Sequence, residues 1–181
     1  MGNAVRAGQK IGAETLNDLP AHLADLSTGS VTNSTTETTI GTFSAAIPAN
    51  DPVVNSGYQL RVTGTTDTTG TPTLRLRAYI GSVAAGNLIY DSGAVATSGA
   101  ATGRPWQLEA WFLITGTGSG GTADGGGWVN SAHIASSPLF DSQTGAAIDT
   151  TAAQDILITA TWGTASASDT ARTTAGAIIR T

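Results

Sequence analysis

The chain has 181 residues, no cysteine, 12% charged residues and a formal net charge of −5 at pH 7. The lack of cysteine excludes disulfide frameworks, thiolate metal sites and cysteine nucleophiles, and the acidic balance argues against binding to nucleic acid or an anionic membrane. Glycine contributes 23 residues, and threonine, alanine and serine are also abundant. Because glycine, threonine and serine disfavour long helices and suit strands and turns, the composition predicts an all-β protein of about one domain.

Residues 1–33 differ in pattern from the rest and are predicted to form a mostly extended N-terminal arm. The one plausible helix runs from Ala13 to Leu19 and is ended by Pro20. A helix this short is unstable alone, so its apolar side chains need a covering surface. The arm either packs back on its own domain or docks on another chain. The residues predicted to make the docking contact are Val5, Ile11, Leu16, Leu19 and Leu23.

Arg6 and Lys10 are not followed by the apolar segment that a signal peptide requires. No apolar run approaches the length of about 18 residues that a membrane-spanning helix needs. We therefore expect neither a signal peptide nor a membrane span.

The pattern of residues 34–181 predicts strands separated by turns, and these residues are predicted to form one domain. The predicted strands are 35–43, 58–65, 73–80, 88–90, 106–115, 128–134, 155–162 and 171–180. The glycine-rich segment 115–127 is predicted to be a loop. About eight antiparallel strands at turn-separated intervals predict a β-sandwich of the jelly-roll type.

The strand 106–115 is apolar on both faces, apart from Gln107, Glu109 and Thr115. This pattern is typical of a central strand or of one covered by a neighbouring subunit. We therefore predict that Trp111 and Leu113 contact a second subunit.

The chemical inventory assigns no catalytic, cofactor-binding or metal-binding residue. His22 and His133 lie far apart, and the serines lack the Gly-x-Ser-x-Gly context of a nucleophile elbow. His133 is expected to face solvent or a subunit contact, and Glu109 to pair with an arginine such as Arg75 or Arg77. Residues 141–149 match a calcium loop only in part, so whether they hold a cation stays open.

Four tryptophans are the largest side chains, and two interpretations of them are available. Their large area favours packing in the core or between subunits. A sugar-binding platform would instead require exposed, coplanar aromatic rings. The four residues are Trp106, Trp111, Trp128 and Trp162.

Residues 4–11 (AVRAGQKI) and 16–20 (LNDLP) resemble the N-termini of virion proteins of tailed bacteriophages, most closely the minor-tail or appendage proteins of phages that infect actinobacteria. The low lysine content and high alanine, glycine and threonine content fit a GC-rich genome. A second resemblance, to the jelly-roll heads of phage fibre, tail and capsid-decoration proteins, covers residues 39–128. Its segments are GTF (41–43), IPAN (47–50), YQLRVTG (58–64), TPTLRLR (71–77), DSG (91–93) and WQLEA (106–110).

The resemblance implies a non-enzymatic structural component on the exterior of a phage particle, without cofactors. It also implies a homotrimer whose N-terminal arm docks on other virion proteins of the tail or capsid. Two alternatives to a minor tail or appendage protein remain: a capsid decoration protein or head fibre, and a carbohydrate-binding module that attaches to a host-surface glycan.

Overall fold

The computed structural model describes residues 21–134 and 136–181, and these residues form two antiparallel β-sheets. A single turn of 3-10 helix, Ala85–Asn87, precedes the seventh strand. No helix within the described ranges is long and apolar enough to cross a membrane. The strands of these ranges are β1 (Ala21–Asp25), β2 (Ser27–Thr28), β3 (Ser30–Thr32), β4 (Thr38–Ile47), β5 (Gly57–Thr68), β6 (Thr73–Ile80), β7 (Leu88–Asp91), β8 (Val95–Ala96), β9 (Ala101–Gly116), β10 (Gly121–Ser131), β11 (Leu139–Ile148), β12 (Gln154–Trp162) and β13 (Thr170–Arg180).

The larger sheet, sheet A, has the strand order β1-β13-β5-β9-β10-β11, and β3 also pairs with β13. The smaller sheet, sheet B, has the order β2-β4-β12-β6-β7, and β8 also pairs with β6. Most neighbours are far apart in sequence: β3 pairs with β13, β4 with β12, and β5 with β9. The sheets are therefore built largely from long-range pairing rather than from successive hairpins.

The inner faces of both sheets supply one hydrophobic core, an arrangement consistent with a β-sandwich. On β6 the residues at positions 74, 76, 78 and 80 are buried, and on β12 those at 156, 158, 160 and 162 are buried. Period-2 alternation places such residues on one face of a strand. The predicted strand 73–80 and the predicted inner face of 155–162 are confirmed.

The predicted glycine-rich loop at 115–127 is wrong over most of its length, because β10 begins at Gly121. Three glycines of this strand, Gly121, Gly125 and Gly127, lie where neighbouring backbone comes within 3.0 Å of the position of a Cβ atom. A Cβ atom on Gly127 would lie 2.5 Å from the carbonyl oxygen of Glu109 in β9, and one on Gly125 would lie 3.0 Å from Ile89 in β7. Close packing therefore requires glycine here inside a strand.

The described chain enters the sheets at Ala21, within the range assigned to the arm. Strands β1 and β3 pair with β13, and β2 pairs with β4. Leu23 and Leu26 pack against the core, and Val31 belongs to it. The predicted helix 13–19 and the docking residues Val5, Ile11, Leu16 and Leu19 lie outside the described residues.

Candidate functional site

The outer face of sheet A carries large apolar side chains in contact with solvent. On β9 the residues at 106, 108, 110, 112 and 114 face the core, so the alternate positions point outward. Trp111 and Leu113, the predicted subunit-contact residues, lie on this outer face and are 47% and 41% exposed. An exposed apolar pair at the centre of a sheet marks a surface available for contact.

Two further aromatic residues lie beside Trp111 on the same face. Trp128 of β10 is the cross-strand partner of both Glu109 in β9 and Phe140 in β11. Trp128 is partly buried, whereas Phe140 is 73% exposed. We call Trp111, Trp128 and Phe140 the aromatic face. Sequence analysis missed Phe140 because β11 was not predicted, since its sequence LFDSQTGAAI shows no alternation of apolar and polar residues.

The indole of Trp111 lies over a glycine of the neighbouring strand. Gly126 is the cross-strand partner of Trp111, and a Cβ atom on Gly126 would lie 3.5 Å from Cζ2 of the indole, an ordinary van der Waals contact. The ring therefore packs over β10. A shallow depression separates it from Phe140, and its other lining residues are Gly127, Asp141 and Ser142.

A polar cluster borders the aromatic face on the side of β5. The Glu109 carboxylate accepts hydrogen bonds from Gln59 Nε2 at 2.6 Å and from Arg61 Nη2 at 3.0 Å. The expected pairing of Glu109 with Arg75 or Arg77 is wrong, because β9 pairs with β5 in the register that puts Glu109 opposite Arg61. The contact holds the carboxylate and the guanidinium in fixed orientations.

Arg75 and Arg77 instead belong to a network on the outer face of sheet B. Both arginines donate to Asp91 of β7. The Glu37 carboxylate accepts from Arg77 Nη1 at 2.6 Å, from Tyr79 OH at 2.8 Å and from Thr159 Oγ1 at 2.6 Å. Burial, with the hydrogen bond to Glu37, raises the pKa of Tyr79 to about 12. This network joins the segment before β4 to the sheet and has a structural role.

His133 is buried at 3% exposure, so its expected position in solvent or at a subunit contact is wrong. Its Nε2 lies 2.9 Å from Thr68 Oγ1, and its Nδ1 lies 3.4 Å from Ser98 Oγ. Burial, with the nearby charge of Arg104, lowers the pKa of His133. Since both ring nitrogens face hydroxyl groups rather than a carboxylate, this cluster differs from a serine–histidine–acid triad.

The aspartates of the segment 141–149 are already engaged with the protein. Asp141 accepts from the backbone N–H of Asp91 and from Gln143, and Asp149 accepts from Thr151. Across 21–134 and 136–181, no three His, Asp or Glu side chains are grouped as a metal site requires.

The four tryptophans divide into two pairs. Trp106 and Trp162 are buried in the core, and their indole N–H groups lack hydrogen-bond partners among the described residues. Trp111 and Trp128 lie on the outer face of sheet A. The packing interpretation therefore holds for the first pair, whereas the second pair is available to a ligand or partner.

Comparisons with protein-family models, with curated proteins and with solved structures find no match for this chain.

Proposed function

We propose that this protein is a non-enzymatic structural component of a tailed-phage virion, a minor tail or appendage protein that displays its β domain on the particle exterior. The observation that carries the proposal is the nested pairing of its strands. A capsid decoration protein or head fibre is the alternative, since it needs the same β domain at another position on the particle.

The pairing supports a jelly roll, in which a long hairpin is wound into two sheets. Eight strands pair from the outside inward: β3 with β13, β4 with β12, β5 with β9 and β6 with β7. The hairpin β10–β11 extends sheet A beyond β9. Jelly rolls occur in viral capsid and lectin domains as well as in cupins, so the topology is compatible with the proposed role on the particle exterior.

The entry point of the chain supports docking through the N-terminal segment. Strand β1 begins at Ala21 on an edge of sheet A and pairs only with β13 among the strands of the sheet order. A segment that precedes this edge can reach another virion protein without crossing the core. We propose that Val5, Ile11, Leu16 and Leu19 make that contact, and that three copies of the chain form a homotrimer.

Immunogold labelling of intact particles tests the proposal directly. Antibody against the β domain should label one structure, either the tail or the head, and the position separates the main proposal from its alternative. Particles without label would contradict both. Sedimentation of the purified protein should give three times the chain mass of 18.1 kDa, and a monomer would contradict the trimer.

The docking contact is tested by substitution in the full chain. Leu16→Glu combined with Leu19→Glu should leave the thermal unfolding midpoint unchanged and reduce incorporation into particles at least tenfold. Asn17→Glu, which adds a charge without removing an apolar contact, is the matched control. Wild-type incorporation of the double variant would contradict docking through this segment.

A further inference from the structure

We propose that the aromatic face of sheet A is a binding site for a neutral carbohydrate. A sugar ring would stack on Trp111 and Phe140, and its hydroxyl groups would hydrogen-bond to the polar side chains around them. The inference goes beyond the structural role proposed above and does not depend on the protein being part of a virion.

The stacking surface is exposed and supported. The indole of Trp111 lies over Gly126 of β10, where a Cβ atom would make an ordinary van der Waals contact with it at 3.5 Å, and 47% of the residue stays open to solvent. Phe140 on β11 is 73% exposed, across the depression from Trp111. Two rings that stand apart on a rigid sheet can each cover the apolar C–H groups of a sugar without rearrangement.

Hydrogen-bonding groups surround the rings in fixed positions. Arg61 directs Nε and Nη2 to Glu109, and its side chain is 62% exposed, so its third nitrogen can donate to a ligand. Ser142 lines the depression and lies on the outer face, because it pairs with Gly126, the cross-strand partner of Trp111. Polar groups held in place lose little conformational freedom when they bind hydroxyl groups.

The charge of this region selects a neutral ligand. The carboxylates of Glu109 and Asp124 lie on the outer face of the sheet, with Arg61 as the cation nearest to Glu109. The whole chain carries a net charge of −5. Exposed aromatic rings also stack nucleic-acid bases, but such sites combine the rings with a positively charged groove. Phosphate, sulfate or uronate groups would be repelled here.

The apolar area is small for a contact with a second copy of the chain. Half of Trp111, three-quarters of Phe140 and two-fifths of Leu113 together expose roughly 300–350 Å² of side-chain surface. A stable protein interface buries about 800 Å² on each partner. We therefore assign Trp111 to a ligand, although the apolar pattern of its strand alone predicted a subunit contact.

Native affinity electrophoresis of the full chain tests the inference. Gels are cast with the soluble neutral polysaccharides hydroxyethylcellulose, galactomannan, mannan or arabinogalactan, and in parallel with dextran sulfate. We expect at least one neutral polysaccharide to retard the protein and dextran sulfate to leave it unretarded. Trp111→Ala and Phe140→Ala should each weaken the retardation at least tenfold, and Trp111→Phe should restore part of it.

Val83→Ala is the matched control, because Val83 is an exposed apolar residue (43%) in the segment after β6 of the other sheet. It should bind as the wild type does, and circular dichroism should show that every variant is folded. Lack of retardation by all four neutral polysaccharides would overturn the inference, as would unchanged binding by Trp111→Ala and Phe140→Ala. Self-association that Trp111→Ala abolishes would also overturn it, in favour of a second copy.

Discussion

The indole of Trp106 occupies the space that a side chain on Gly64 would need. The two residues are cross-strand partners in β9 and β5, and a Cβ atom on Gly64 would lie 2.2 Å from Cζ2 of the indole and 2.2 Å from the carbonyl oxygen of Arg172. Neither neighbour can move easily, because one is a core ring and the other is backbone in β13.

We expect Gly64→Ala to lower the free energy of unfolding by about 2–3 kcal/mol through overpacking. Urea denaturation monitored by tryptophan fluorescence measures the change. Gly120→Ala is the control, since a Cβ atom there would meet no heavy atom within 4 Å. Equal stability of the two variants would contradict the close contact with Trp106.

Glu37, in the segment before β4, is the acceptor that joins this segment to strands β6 and β12 on the outer side of sheet B. Its side chain and that of Arg77 are 23% and 17% exposed, and it accepts from Arg77, Tyr79 and Thr159. We expect Glu37→Gln to lower the free energy of unfolding by about 1–3 kcal/mol, because charge-assisted hydrogen bonds are lost. Asp25→Asn, at an 88% exposed side chain, should change it little under the same denaturation. An unchanged free energy of unfolding in Glu37→Gln would show that the network does not stabilise the fold.

The tyrosines should make the protein sensitive to alkali. The ordinary phenol pKa is 10.0, and burial raises it for Tyr58, for Tyr90 and, to about 12, for Tyr79. Between pH 10 and 12 the unfolded chain loses phenolic protons that the folded chain keeps, so stability is present below pH 10 and falls as pH rises. Phenolate absorbance should therefore increase only with unfolding, and Tyr79→Phe should reduce the loss of stability. A rise near pH 10 with intact circular dichroism would contradict this expectation.

His133 should make stability fall on mild acidification. Burial lowers its pKa below the usual 6.5, so the folded protein holds a neutral imidazole while the unfolded chain takes up a proton. The contribution of neutral His133 to the stability of the fold is therefore present above about pH 6.5. It is lost as the pH falls through the lower pKa of His133 in the folded state. Thermal midpoints between pH 7.5 and pH 5 measure the slope. His133→Gln should flatten it, whereas His22→Gln, at a half-exposed side chain, should retain it. An unchanged slope in His133→Gln would assign the pH response to other groups.

The positions of the clearest strands could be predicted from the sequence because alternation is a local property. Leu74 and Leu76 in β6, like Ile156 and Ile158 in β12, repeat at every second position, and a strand places such residues on one face whatever its neighbours are. The same reasoning did not separate an inner from an outer face in β9, because both of its faces are largely apolar. It could not tell whether the outer face of β9 meets solvent, a ligand or another chain.

The register between strands was decided only by the tertiary structure. Glu109 pairs with Arg61 rather than with Arg75 or Arg77 because β5, not β6, lies beside β9. His133 is buried because Thr68 and Ser98, from distant parts of the chain, supply its hydrogen-bond partners. Glycines are needed inside β10 because the neighbouring strands β7, β9 and β11 lie too close to its backbone to leave space for a Cβ atom.

Composition and periodicity thus determined the all-β class and the inner faces of the strands, since each depends on residues close together in the chain. The aromatic face depends on which strands become neighbours. Trp111, Trp128 and Phe140 come together through pairing across three strands, and no local pattern encodes that pairing.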